Sequence, residues 1–290
     1  MRFGVFAAVA SPYATPEVIA ALGRACDERG VDTIWLPEHV VLFENYESTY
    51  PYSPDGRVPA PADAGMFEPL TTLAFLAAHT SRLRLATGIC LLPQRNPVYT
   101  AKEVANVDYL SGGRVDFGIG VGWLEEEFAA VNVPFARRGR RTDEYIDVLR
   151  TLWTTDPSEF HGEFYDLPPC SMFPKPVQEG GVPIVVGGES EAAMARAART
   201  GDGWHTFNRL PADMPPLLQR LDEMCAAAGR VRADVPVTVS PYFNPVDPEM
   251  VDGFLECGVD EVTALVFVTS ADEAAQTIDD LVPLVTRAHG

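Results

Sequence analysis

Short β-type runs alternate with helical stretches eight times along the 290 residues, and this alternation restricts the fold more than any other feature. The β-type runs are Arg2–Ala8, Thr33–Leu36, Leu83–Leu91, Val115–Ile119, Pro183–Val186, Gly203–Phe207, Val235–Tyr242 and Glu261–Val268. Apolar residues recur at spacings of three and four over Pro16–Arg29, Pro69–His79, Val98–Leu110, Glu144–Trp153, Glu191–Arg199, Pro215–Ala228, Pro248–Cys257 and Ala271–Ala288, which is the helical period. Each helical stretch is long enough to cross back over a sheet, so neighbouring strands are expected to be parallel. The strands are nearly continuous apolar runs, as sheets covered on both faces require. Eight such units predict an α/β fold of one closed (β/α)8 TIM barrel, a single domain over residues 1–290, with long loops at its C-terminal rim. An open doubly wound sheet is the alternative. Its glycine fingerprint belongs in the first βα turn, where this chain has Ala8-Val9-Ala10-Ser11-Pro12.

Charge narrows the partners. With 41 acids against 22 bases the formal charge is −19, a field that repels nucleic acid and anionic membrane alike. No apolar stretch approaches the roughly 20 residues of a membrane span, and the start, Met1-Arg2-Phe3-Gly4-Val5-Phe6, reads directly as a strand. A cytoplasmic protein is expected. The five cysteines are scattered without a C-x-x-C, which fits reduced thiols. The five histidines show no H-x-H or H-E-x-x-H spacing, so no metal site is expected.

On a barrel, chemistry belongs to the loops that follow strands. The second strand runs into Pro37-Glu38-His39; proline stops the ladder and leaves Glu38 and His39 at the rim, where a histidine can hold or move a proton near neutral pH. Gly88 interrupts the third strand, the signature of a bulge or a close backbone approach. The run Gly118-Ile119-Gly120-Val121-Gly122 has the wrong position and spacing for a dinucleotide site, and Glu125, Glu126 and Glu127 follow where a pyrophosphate would sit. Small residues that admit a flat ring are the better account. After the fifth strand, Gly187-Gly188-Glu189-Ser190 leads into an alanine-rich helix. Ser190 is a candidate N-cap, and free amides there suit a phosphate. The segments Val40–Met66 and Gly122–Glu144 are long for rim loops, and the first is rich in proline and tyrosine. Together they suggest a lid over a planar ligand, with Tyr50, Tyr52, Trp123 and Tyr242 lining the substrate side. The basic run Arg137-Arg138-Gly139-Arg140-Arg141 is expected to pair with Asp143, Glu144 and Asp147 or to grip an anionic tail.

Taken together, these motifs resemble the luciferase-like monooxygenase superfamily, in particular the actinobacterial coenzyme F420-dependent oxidoreductases. The matching pieces are Trp35-Leu36-Pro37-Glu38-His39-Val40-Val41, Leu91-Leu92-Pro93-Gln94-Arg95-Asn96-Pro97, Leu110-Ser111-Gly112-Gly113-Arg114, Gly118-Ile119-Gly120-Val121-Gly122-Trp123, Arg138-Gly139-Arg140-Arg141-Thr142-Asp143-Glu144, Val186-Gly187-Gly188 and Gly201-Asp202-Gly203-Trp204. The resemblance implies a barrel, usually a homodimer, holding coenzyme F420 or FMN at the C-terminal mouth. It maps a ring-supporting bulge, often with a non-prolyl cis peptide, to Gly88-Ile89, and the catalytic pair to His39 with Glu38 orienting it. Phosphate contacts map to Gly188, Glu189 and Ser190, and the wider cofactor set takes in Glu126, Gly187 and Trp204. Where sugar-phosphate-oxidising relatives carry a glutamate after the fourth strand, this chain has Trp123, which speaks against a sugar phosphate. The implied activity is hydride transfer between F420 and a small-molecule substrate. The alternatives are a two-component FMN-dependent monooxygenase fed by a separate reductase and a flavin-binding protein without catalysis.

Overall fold

In the computed structural model, which describes all 290 residues, the eight expected units form eight parallel strands. They are β1 (Arg2–Ala7), β2 (Thr33–Leu36), β3 (Arg84–Thr87), β4 (Val115–Gly120), β5 (Ile184–Gly187), β6 (Gly203–Phe207), β7 (Val237–Ser240) and β8 (Glu261–Val266). Each pairs in parallel with the next, β8 returns to β1, and β4 pairs with β5, so the sheet closes on itself and has no edge. The helices are α1 (Pro16–Glu28), α2 (Pro69–Ala77), α3 (Pro97–Ser111), a short α4 (Glu125–Ala130), α5 (Arg138–Thr154), α6 (Glu191–Thr200), α7 (Met214–Ala227), α8 (Pro248–Cys257) and α9 (Ala271–His289). No helix is long and apolar enough to cross a membrane.

The structure departs from the sequence reading in three places. The third run does not continue to Leu91: β3 stops at Thr87, and Cys90–Leu91 re-pairs beside β4. The helix expected from Glu144 begins six residues earlier, at Arg138, because the arginine-rich turn is itself helical. Within Asp156–Gly181 the chain makes an antiparallel hairpin, Ser158–His161 with Asp166–Cys170.

Alternation along each strand divides the apolar residues into two sets. Val5, Ile34, Leu85, Phe117, Ile184, Trp204, Val239 and Val262 face outward into the core under the helices. Phe6, Trp35, Ala86, Val185 and Phe207 fill the barrel itself. Beneath them lies a polar floor. Glu261, fully buried, accepts from Trp35 Nε1 (3.3 Å) and Thr238 Oγ1 (3.0 Å) and pairs with Arg2 at 3.1 Å. Burial nonetheless pushes its carboxyl up, as expected when desolvation outweighs one partner. A buried His205 stacks on Phe207 at 4.3 Å and hydrogen-bonds through Nε2 with Ser240 Oγ at 2.7 Å.

So wide a ring as Trp35 inside a narrow barrel leaves no room opposite. A Cβ at Gly118 would overlap the Thr87 carbonyl oxygen and lie 3.2 Å from Trp35 Cζ3. Gly118→Ala is therefore expected to cost about 3 kcal/mol, the upper range for overpacking, measured by urea unfolding. A second prediction concerns pH. Burial pushes His205 down to about 3, below its unfolded value near 6.5. The unfolded chain thus takes up the proton first, and stability present above about pH 6.5 is lost as pH falls toward 3, roughly 2 kcal/mol by pH 5. Urea unfolding at pH 7 and pH 5 should show His205→Gln losing less than wild type by about that amount.

Candidate active site

The C-terminal rim gathers the titratable residues singled out from sequence, but in different partnerships. His39 follows β2, and its Nδ1 lies 3.1 Å from Glu127 Oε2. Glu127 also accepts from Val40 N (2.7 Å), Val41 N (3.3 Å) and Gln94 Nε2 (3.2 Å), and its side chain is 1% exposed. With both oxygens facing N–H donors, the carboxylate can only accept from the imidazole, so the proton sits on Nδ1 and Nε2 is left free. Gly122 makes this possible. At φ +76° it turns the chain from β4 into α4, and Phe128 packs so close that a Cβ at Gly122 would lie 2.8 Å from its ring. Phe128 anchors inward and its neighbour Glu127 is thereby aimed at His39.

Glu38 does not orient His39. Its carboxylate is taken by Arg95 and by the Leu91 amide, so it braces the chain beyond the β3 bulge. Glu126 is likewise turned away from the mouth, accepting from Glu47 N (2.6 Å) and Ser48 Oγ (2.7 Å). Glu127 is the residue that sequence reasoning passed over, although the same Glu125–Glu127 run had been noticed as unfavourable to phosphate. Its signal is the buried Phe128 beside it, which fixes which of three acids points inward.

The bulge lies at the expected position. The Gly88–Ile89 peptide is cis and non-prolyl. A Cβ at Gly88 would come 2.8 Å from the Phe6 ring, and the Ile89 side chain lies across Gly120 and Gly187. Two glycines thus seat one isoleucine over the barrel core.

At the start of α6, Gly188 (φ +120°) turns the chain and Ser190 Oγ caps the helix through Ala193 N at 3.2 Å. The amides of Glu189 and Ser190 donate to no acceptor in the chain. Glu189 itself bends back to Thr206 Oγ1, Phe207 N and Arg209, which removes the acid from the cradle. Trp204 is fully buried on the outer side of β6, with Nε1 donating to Gly188 O at 3.0 Å. It shapes the cradle from behind and has no ligand-facing surface.

Tyr50, Tyr52, Trp123 and Tyr242 do converge. The Tyr50 and Tyr242 hydroxyls are 3.0 Å apart, Tyr50 lies 5.2 Å from Trp123, and Tyr52 lies 5.5 Å from Phe207. His39 meets Trp123 at 5.8 Å. These rings roof the mouth, and Tyr242 holds a left-handed φ of +59°, a conformation bulky residues rarely adopt. Ser48 and Glu126 tie the roof to α4. A recess of 980 Å³ opens instead at the opposite face, around Arg2, Arg84, Asp116 and Asp202. It lies beneath the polar floor, away from His39. The basic run finds partners other than those expected. Arg137 and Arg140 pair with Glu163, while Arg138 lies over the Phe135 ring, donates to Gly122 O and has no carboxylate partner.

Comparison with known proteins places the chain in a family and agrees with the barrel fold. A family model described as luciferase-like monooxygenase matches residues 1–249. An uncharacterized protein of Mycobacterium tuberculosis is 33% identical over 97% of both chains. An FMNH2-dependent dimethylsulfone monooxygenase of Pseudomonas putida is 29% identical over 64% of this chain and 56% of its own. Among solved structures, the coenzyme F420-dependent tetrahydromethanopterin reductase of Methanopyrus kandleri superposes with a TM-score of 0.74 at 16% identity, covering 98% of this chain and 99% of that one.

Replacing Glu127 tests the network. Glu127→Gln sets an amide NH2 against N–H donors and leaves buried groups unpaired, at an expected cost of roughly 1–3 kcal/mol by urea unfolding. Glu38→Gln should leave the His39 imidazole NMR signals in place, whereas Glu127→Gln should move them.

Proposed function

Because the chain belongs to the luciferase-like monooxygenase family, whose members use flavin or deazaflavin cofactors, we propose that it transfers a hydride between coenzyme F420 and a small organic substrate. The observation that carries this reading is His39, whose Nδ1 is fixed by Glu127 and whose Nε2 is left free beside the mouth. Such a group serves any reaction in which a proton must accompany a hydride at a substrate oxygen.

The residues at the mouth fit a flat heterocycle with an anionic tail. Ile89, seated on its glycines, offers an apolar surface for one face of a ring. The Glu189 and Ser190 amides at the start of α6 offer donors to phosphate without any lysine, and Arg138, whose Nε is held by Gly122 O and which makes no direct ion pair, supplies a cation. The roof of Tyr50, Tyr52 and Tyr242 covers the same space and must swing aside when a ring enters. When bound, reduced F420 would give up the hydride to the substrate, or oxidised F420 would accept one from it. The chain's part is to hold substrate in near-attack geometry, exclude water beneath the tyrosines, and move a proton at His39 Nε2. Glu127 keeps that nitrogen in the right tautomer.

The Pseudomonas relative favours a second reading with reduced FMN and oxygen, in which a separate reductase would supply the flavin. Fluorescence titration separates the two: tight FMN binding with no response to F420 selects the second. For either, His39→Ala should retain cofactor affinity while turnover falls at least ~10²-fold. Unchanged turnover would remove His39 from the chemistry, and retained binding with no turnover in wild type across candidate substrates would leave a flavin-binding protein.

A further inference from the structure

The rim is not uniform. Three adjacent strands, β7, β8 and β1, are followed by residues 241–247, 267–270 and 8–15, and the single charge among them is Asp247, spent as the N-cap of α8 through Met250 N, in a chain where 22% are charged. The opposite side of the mouth carries Glu38, His39, Glu126 and Glu127, and the β5–β6 side carries Glu189 and Arg209. The polar side chains of this sector are largely committed. Thr15 caps α1, Asn244 Nδ2 donates to Pro241 O, and Thr269 donates to Glu273, which is thereby held.

What this sector exposes is apolar. Tyr13 is 51% exposed, Phe243 45%, Leu265 39% and Phe267 52%. Leu265 is the informative one. On β8, Glu261 and Thr263 reach partners inside the barrel, while Val262, Ala264 and Val266 belong to the outer core. Alternation therefore points Leu265 inward, in register with Phe6 of β1. Of the other apolar side chains inside the barrel, Phe6 and Phe207 are only 4% and 6% exposed. Leu265 is thus the open one of the three. Phe267 continues above it and meets Tyr13 at 6.0 Å. A chain of rings joins this wall to His39: Tyr242 touches Phe243 at 4.2 Å and bonds Tyr50, which meets Trp123, which meets His39.

We propose that Tyr13, Phe243, Leu265 and Phe267 form the substrate wall and that the substrate is an uncharged, largely apolar molecule. This rests on the functional reading above, since it assigns the proton group to one side of the mouth, the anionic tail to a second and the substrate to the third. A charged substrate would be stripped of water against side chains that, the Tyr13 hydroxyl apart, offer it no donor or acceptor.

Nile red, uncharged and brighter in apolar surroundings, is the probe. Wild type should bind it with a blue-shifted emission. Phe267→Glu and, separately, Phe243→Glu should weaken binding about tenfold, because each sets a carboxylate in an apolar site. Phe173→Glu, at an equally exposed aromatic away from the rim, should not. Both rim residues are at the surface, so melting temperatures should match wild type. F420 affinity, titrated in the same variants, should stay within about twofold, a change of under half a kcal/mol. Dye affinity unaltered by both rim variants would overturn the proposal. So would light scattering that shows them to be monomers where wild type is a dimer, since the wall would then belong to a second copy. Failure of every form to bind F420 or FMN would overturn the functional reading, while the dye comparison still decides the wall.

Discussion

A single buried carboxylate, Glu127, organises the rim. Taking an ionised acid out of water costs several kcal/mol unless donors replace the lost hydration. Here two backbone amides, an imidazole N–H and the Gln94 amide do so. Those donors come from the loop after β2 and the loop after β3, and the acid from the helix after β4. Three loops that could each move alone are therefore held as one unit, and the direction of the His39 ring follows from that unit. A histidine on a free loop would keep its chemistry but lose its aim. The geometry puts the demand for precision in a group that need never touch a ligand.

The same logic applies one layer down. Trp35 fills the barrel and donates to Glu261 on the floor, so its ring cannot shift sideways without breaking a buried bond. Glycines at 88 and 118 make room for it. Those glycines in turn leave the strand surface flat, and Ile89 crosses the gap to lie over Gly120 and Gly187. A flat apolar platform at the mouth is thus a consequence of packing one large ring in a narrow barrel. The surface at the mouth is inherited from the core.

Much of this was legible in the residues themselves. Helix-length segments between apolar runs pointed to parallel strands, and eight of them, with no glycine fingerprint in the first βα turn, favoured closure over an open sheet. Gly88 pointed to a bulge or to packing under a bulky neighbour, and it does both, since Phe6 and Trp35 lie against it where the strand breaks. The rim tyrosines were readable as a group because loop residues rich in proline and aromatics have nowhere to pack but against one another. What misled was adjacency. Glu38 and His39 are neighbours in the chain, yet consecutive residues leaving a strand point in opposite directions, so the acid that serves His39 had to come from elsewhere. Trp204 failed for the same reason: its place in a motif gave no sign of which face of β6 it occupied. The start of α5 was hidden because its first turn is arginine and glycine, and its helical form depends on Arg141 donating to Pro134 O and on the Arg196–Asp143 pair, contacts that exist only after folding.

The aromatic roof bears on energetics. Its rings meet edge to face, contacts worth about 0.5–1.5 kcal/mol each beyond their buried area, and the Tyr50–Tyr242 hydrogen bond adds about as much again. Opening it therefore costs a few kcal/mol, and any ring that enters has its apparent affinity lowered by the fraction of chains that are closed. Much of that cost returns when the displaced tyrosines pack on the incoming ring in place of one another. A roof made of the same kind of surface as its ligand keeps an apolar mouth dry without sealing it, and it favours a flat, aromatic guest over water as the thing that replaces it.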